Sequence, residues 1–148
     1  MNKFDIITTI QAQLGDSILA VQRKSAQRLY ISIEPQSLEQ ASRLMLETFG
    51  ARLQIATGVD TRKGFEVMYH WALDTQNSII TLRVLVDHET AELNSIAPMY
   101  PAAEWIEREI WELLGIHFKG HPDLRHLLLA DDWPEGNYPM RRNFGATT

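Results

Sequence analysis

The sequence predicts an α+β fold: a mixed, mainly antiparallel sheet with helices packed on one face, followed by a long irregular C-terminal tail. Three observations carry this. Segments of alternating apolar and polar residues recur between residues 29 and 86. Segments of helical spacing occur at 3–14, 37–49 and 101–114. Five of the six prolines lie beyond residue 97, where regular periods fade. Helices alternating with strands, then a meander, indicate helices layered on a sheet. The expected organisation is an α+β body over 1–115 and an extended partner-docking tail over 116–148.

Residues 3–14 place Phe4, Ile7, Ile10 and Leu14 three or four apart, an amphipathic helix that Gly15 stops. LYISIE (29–34) alternates Leu29, Ile31 and Ile33 against Tyr30, Ser32 and Glu34, the pattern of a half-buried strand. Ser37 followed by Gln40 has capping-box spacing. Leu38, Ala41, Leu44, Met45 and Phe49 then share one helix face, and Gly50 ends it.

Three strands follow. RLQIATGV puts Leu53, Ile55 and Val59 on one side; FEVMYHWALD puts Phe65, Val67, Tyr69, Trp71 and Leu73 on one side; SIITLRVLVD offers Ile80, Leu82, Val84 and Val86. The turn formers Thr75-Gln76-Asn77-Ser78 predict that the last two pair as a hairpin. Pro98 and Pro101 favour extended conformations at Ala97 and Tyr100, and Pro101 suits the first position of the helix PAAEWIEREIWELL, which Gly115 closes.

On a helical wheel, Trp105, Ile106, Ile110, Leu113 and Leu114 form an apolar arc. Glu104, Glu107, Arg108 and Glu112 take the opposite side, with Glu104–Arg108 as an i,i+4 pair. Two residues break the pattern. Trp111 falls within the polar face and Glu109 within the apolar arc. Either Trp111 lies flat on its own helix and Glu109 reaches water, or Trp111 is covered by the tail or a second protein and Glu109 pairs with an arginine. A buried carboxylate without a partner is costly, which favours an arginine partner for Glu109.

Composition excludes several functions. The chain has 148 residues, a net charge of -5 and a pI near 5.5, which argues against nucleic-acid binding, since that requires a basic face. No apolar run exceeds four residues, so no segment spans a bilayer. The start, MNKFDIITTI, lacks the pattern of a signal peptide. With no cysteine, the chain cannot supply thiolates to an iron–sulfur cluster or zinc, or a cysteine nucleophile.

His117, His121 and His126 with Asp123, Asp131 and Asp132 raise the possibility of a metal site, although Pro122 breaks any helix there and no HExxH exists. G-x-S-x-G, Walker A and G-x-G-x-x-G motifs are absent, and no catalytic residues are expected. The rival is a small metal-dependent enzyme built on His117, His121 and Asp123; a third reading is a free-standing binding module.

The segment GHPDLRHLLLADDWPEGNYPMRR has no period yet is rich in large apolar side chains, which is not the composition of a disordered segment. Such a chain must lie in a groove, on its own body or on a neighbour. Aromatics mixed with arginines favour a neighbour for at least part of it.

TGVD (57–60), the FEVMYH strand, TLRV (81–84), and SIAPMYPAAEWIEREIWELLGIHFKGHPDLRHLLLADDW with a closing YPMRR resemble the thirty-kilodalton family of respiratory complex I, its C subunit. The resemblance runs from about Ser37 to Phe144, and ERE-x-W-x-L-x-G-I-x-F-x-GHPDLR is its most specific part. It implies a cofactor-free scaffold in the hydrophilic arm, on the cytoplasmic side of the membrane. Membrane association would come only through the complex. The tail would dock on the hydrogenase-like large subunit, near iron–sulfur subunits that carry the clusters, with a nickel–iron centre in the hydrogenase case. The family signature falls on Glu107, Arg108, Glu109, Gly115, Ile116, Phe118, His121, Pro122, Leu124, Arg125, Trp133, Pro139 and Arg141. With Trp111 and Arg142, the docking residues among these are expected to meet the partner: Trp133 as a buried anchor, and Arg125, Arg141 and Arg142 paired with carboxylates.

Two departures matter. Complex I members usually read Y/F-D-L/M-F-G where this chain has Trp111-Glu112-Leu113-Leu114-Gly115, and H-P-L-R-K-D where it has Tyr138-Pro139-Met140-Arg141-Arg142-Asn143. DDWPEGNYP looks closer to the branch in energy-converting membrane-bound [NiFe] hydrogenases and formate hydrogenlyase-type complexes. The alternative is the same subunit in a donor:quinone oxidoreductase.

Overall fold

The computed structural model describes residues 3–145, with side chains from Asp5 onward. The Phe4 side chain, expected on the first helix's apolar face, and residues 146–148 of the tail lie outside the described part. The fold is α+β, with a five-stranded, mostly antiparallel mixed sheet in the order β1-β2-β5-β4-β3. The chain divides into two compact units, Met1–Ile55 with Met68–Val84, and Ala56–Val67 with Leu85–Thr148.

In the first unit, helix α1 (Lys3–Leu14) ends at Gly15, whose φ of +51° is left-handed. Ile6, Ile10 and Leu14 are its buried positions, while Ile7 is only half-buried. Strand β1 (Ile18–Arg23) has no alternation to announce it: everything after Ile18 is exposed. It is an edge strand, paired antiparallel to β2 (Arg28–Ile33) with a register shift between Ile18 and Ala20. Such irregularities are common at edges, where they twist open backbone away from stray pairing. β2 buries Leu29, Ile31 and Ile33, as its alternation predicts.

Helix α2 (Leu38–Arg43) continues through a π-helical turn at Leu44–Thr48 and stops at Gly50, φ +60°. The capping box does not form. Ser37 makes no side-chain cap bond, and Gln40 instead donates from Nε2 to the Gln13 carbonyl at 3.1 Å. The residues before α2 already form a 3-10 turn, so Ser37 sits at φ -95°, ψ 1° rather than in the extended conformation a cap requires.

Strands β3 (Arg52–Asp60), β4 (Phe65–Leu73) and β5 (Ser78–Val86) run through both units. β4 buries Phe65, Val67, Tyr69, Trp71 and Leu73, and β5 buries Ile80, Leu82, Val84 and Val86. β4 and β5 are neighbours, joined by a 3-10 turn (Asp74–Gln76) and Asn77 at φ +48°, a conformation asparagine tolerates well. β5 pairs parallel with β2, Ile31 opposite Leu82, which gives the sheet its mixed character.

β3 corrects the expected face. Ile55 and Val59 are exposed, Leu53 is half-buried, and the buried residue is Ala56. In the second unit Gly58 lies so close to a helix that a Cβ there would stand 2.6 Å from Leu114 Cδ1 and 3.1 Å from Ile110 Cγ2. Small residues turn inward because the helix comes too near for larger ones.

That helix, α3 (Glu104–Leu114), follows a 3-10 turn at Pro101–Ala103. β6 (Glu92–Asn94) pairs parallel with β7 (His117–Lys119), Leu93 opposite Phe118, and bonds from His117 N–H to the Ala91 carbonyl and Ser95 N–H to the Lys119 carbonyl frame the pair. A three-residue strand is too short to show a period, so none was legible after Gly115.

Candidate functional site

The site grows from α3. Its buried residues are Glu107, Arg108, Ile110, Glu112 and Leu114, whereas Trp105 is 69% exposed. This corrects part of the wheel: Ile110 and Leu114 of the apolar arc are buried as expected, but the side with Glu107, Arg108 and Glu112 is covered too, and the arc's leading tryptophan points outward. The cause is irregular backbone on that side, the tail over Arg108 and Glu112 and residues 95–97 over Glu107, which needs charged partners where a sheet would supply amides and carbonyls.

Arg108 and Glu112, one turn apart, grip one stretch of tail from both polarities. Arg108 donates from Nε to the Arg125 carbonyl at 2.9 Å and from Nη2 to the His126 carbonyl at 2.7 Å. Glu112 accepts the backbone N–H groups of Leu127 (2.9 Å), Leu128 (2.6 Å) and Leu129 (3.3 Å), and meets His126 Nδ1 at 3.2 Å. Burial pushes the Glu112 carboxyl upward, but the amides and His126 outweigh it and hold it below the ordinary glutamate value. The expected Glu104–Arg108 pair is absent because Arg108 is committed to these carbonyls. Trp111 is half-buried, with the His126 ring tilted against it at 5.2 Å, so the tail covers it.

The end of α3 is closed by the tail's last turns. Gly115 takes φ +81° and donates its N–H to the Trp111 carbonyl at 2.7 Å. Met140 N–H reaches the Leu113 carbonyl at 2.9 Å, and Arg141 Nε reaches the Leu114 carbonyl at 2.6 Å. Terminal carbonyls left over by the helix are thus satisfied, with a cation at the negative end of its dipole. A Cβ on Gly115 would lie 2.5 Å from Tyr138 Cε2 and 2.6 Å from Arg141 Nη2.

Arg141 stacks its guanidinium on Tyr138 (4.4 Å) and Phe65 (5.1 Å), and Phe65 meets His88 edge-on at 4.8 Å. His88 Nε2 lies 2.7 Å from Asp60, whose other oxygen accepts the Arg142 N–H at 2.9 Å. Burial raises the Asp60 pKa, yet the Arg142 amide and His88 bring it below the usual aspartate value. TGVD and YPMRR, some 80 positions apart, therefore meet. Among the described residues the Arg141 and Arg142 side chains make no ion pair with a carboxylate: Arg141 binds a carbonyl and two rings, and Arg142 anchors through its amide.

Glu107 is fully buried and faces the 95–97 segment. Its Oε1 accepts Ser95 Oγ–H (3.1 Å) and Ile96 N–H (3.0 Å), while Oε2 has no hydrogen-bond partner among the described residues. Burial raises its pKa to about 7, against the opposing bonds from Ser95, Ile96 and Ala97. Glu109 is half-buried, and among the described residues no arginine pairs with it.

The remaining predicted residues spread along the tail. His121 donates from one ring nitrogen to the Glu104 carbonyl (Nε2, 2.9 Å) and accepts the Asp123 N–H on the other (Nδ1, 3.0 Å), so neither nitrogen is open to a ligand. Among the described residues no three His, Asp or Glu side chains converge to hold a metal, so His117, His121 and Asp123 are not brought together as one. Arg125 pairs with Asp123 at 2.9 Å on the surface. Pro122 is exposed, and Leu124 and Pro139 are half-buried. Trp133, half-buried, donates from Nε1 to the Asn137 carbonyl at 2.6 Å. Sequence reading missed Glu112, Asp60, His88 and Phe65 as members of this site. The charge on α3 and the TGVD motif were visible signals, but the tail segments they bind had no pattern to match.

The chain is 39% identical over 94 residues to the C subunit of the NADH-quinone oxidoreductase of Caulobacter sp. (strain K31), covering 62% of this chain and 42% of that protein. It is 29% identical over 142 residues to hydrogenase-4 component G of Escherichia coli (strain K12), covering 93% of this chain and 26% of that protein. The chain thus spans less than half the length of these relatives. A chain in the structure of the membrane-bound sulfane sulfur reductase, an archaeal respiratory membrane complex, shares the fold: TM-score 0.83 at 22% identity, over 97% of this chain and 85% of that one. Residues 31–148 match the family model for the 30 kDa subunit of the respiratory-chain NADH dehydrogenase, and the chain belongs to that family.

Proposed function

We propose that this chain is a non-catalytic structural subunit in the hydrophilic arm of a complex I-like membrane-bound oxidoreductase of the [NiFe] hydrogenase or formate hydrogenlyase type. It docks through the tail on the hydrogenase-like large subunit, carries no cofactor, and sits beside iron–sulfur subunits on the cytoplasmic side of the membrane. The observation that carries this is how the tail is held. α3 fixes it by backbone atoms, which leaves side chains free to face outward: Leu128 is 63% exposed, Met140 60% and Phe144 46%. Apolar side chains presented on a rigid, already ordered backbone suit docking, because binding then carries little entropic cost for ordering the segment.

The hydrogenase type is favoured by the extent of the likeness to hydrogenase-4 component G, 93% of this chain against 62% for the Caulobacter relative. The quinone-reductase type is the second reading, supported by that relative's higher identity. No described helix is long and apolar enough to cross a membrane, which is compatible with attachment through partner subunits. Identifying the chains that co-purify with this one tests the proposal. A large subunit with four nickel-ligating cysteines supports the hydrogenase type, one lacking them supports the quinone type, and a chain that purifies alone refutes both.

A further inference from the structure

We propose that the outward stripe of α3, Trp105 and Glu109 running on through Leu113 to Met140, is a docking surface for a partner protein that presents an arginine or lysine beside an apolar pocket. This rests on the assembly reading above and deepens it, since the stripe lies on the helix itself and the chemistry of its partner follows from its own.

Trp105 is 69% exposed and stands one turn before Glu109 on the side of α3 that the tail leaves bare. Among the described residues no ring stacks on its indole and no cation lies over it. The same chain buries Trp71 completely. Met140, 60% exposed, extends the apolar surface where its amide meets the Leu113 carbonyl. Aromatic anchors are the residues on which interface affinity concentrates.

The charge pattern selects the partner. Glu104 and Glu109 flank Trp105 along the helix, and neither has an ion pair among the described residues. The helix's sole base, Arg108, is turned away and committed to the Arg125 and His126 carbonyls. The stripe is therefore aromatic and acidic along the helix, and the cation at its C-terminal end, Arg141, is committed to the Leu114 carbonyl and the Tyr138 and Phe65 rings. A second copy of this chain does not fit, because a two-fold contact would set carboxylates against carboxylates. Anionic lipid and nucleic acid are repelled for the same reason. A basic group beside an apolar pocket satisfies both features, and an arginine there can also lie on the indole face.

The test uses the full chain in the complex purified from its host's membranes, with Trp105→Ala and Glu109→Lys as variants. Both residues project from a folded helix, so circular dichroism and Tm of the isolated variants should match the wild type. Retention in the complex should drop on the order of tenfold or more for Trp105→Ala. Carbodiimide should join Glu109 to a partner lysine, or, where the base is arginine, amides 105–109 should gain hydrogen-exchange protection only in the complex. Wild-type retention of both variants, with no cross-link and no protection, overturns the stripe and leaves the assembly reading standing. A wild-type chain found in no complex, or a homodimer that buries Trp105, overturns the stripe, and the former overturns the assembly reading as well.

Discussion

Replacing Glu107 by glutamine should flatten a pH dependence that the wild type carries. Glu107 is a buried carboxyl with one oxygen bonded to Ser95 and Ile96 and the other facing no partner, so burial lifts its pKa from 4.5 to about 7. A raised carboxyl pKa means the folded state binds more protons than the unfolded state between those two values. Stability therefore falls as pH rises through that window. At about 1.4 kcal/mol per pKa unit the loss between about pH 5 and about pH 8 is roughly 2–3 kcal/mol. Glutamine mimics the protonated acid, including its unpartnered donor, so Glu107→Gln should match the wild type near pH 5 and exceed it by that amount near pH 8. Comparing variant with wild type at each pH removes the opposing trend from His70, whose pKa burial lowers. Urea unfolding followed by far-UV circular dichroism at the two pH values provides the measurement. Equal pH slopes for the two proteins would refute the argument, since Glu107 would then be ionised in the folded chain without penalty.

Glu112→Ala leaves three tail amides without an acceptor and should cost about 3 kcal/mol, opening the segment so that trypsin cuts after Arg125 well before it cuts the wild type. The Glu112 pKa is depressed, so its contribution is present above the ordinary glutamate range and lost as pH falls through the folded value; acidification should release the same segment. Gly115→Ala meets left-handed strain of about 1–2 kcal/mol and also displaces Tyr138 and Arg141, so its Tm should fall by more than strain alone would give. Trp133→Ala should leave the fold intact and weaken assembly by about 2 kcal/mol, read as loss of co-purification with the large subunit.

Much of the fold was legible in the sequence. β2, β4 and β5 bury the residues their alternation marks, and α1 ends at Gly15, as its spacing requires. Gly115 stops α3 as expected, in a left-handed conformation. Strands with one apolar face state their orientation in a two-residue period, and glycine at a helix end states a backbone angle; both are local properties. The motifs that mark the family are local too.

Tertiary structure decided what local patterns leave open. β1 is exposed on both sides, so it has no period to read. β3 turns Ala56 and Gly58 inward, because at Gly58 the close approach of Ile110 and Leu114 matters more than hydrophobicity. α3 is the clearest case. A helical wheel assumes that what covers a helix is apolar, so it sends Trp105 inward and Glu107, Arg108 and Glu112 outward. The actual cover over Arg108 and Glu112 is irregular backbone, a dense array of amides and carbonyls, and those groups call for charge. The sequence alone determined where α3 starts and stops; only the fold around it, the tail over Arg108 and Glu112 and residues 95–97 over Glu107, decided that its charged side is buried as well.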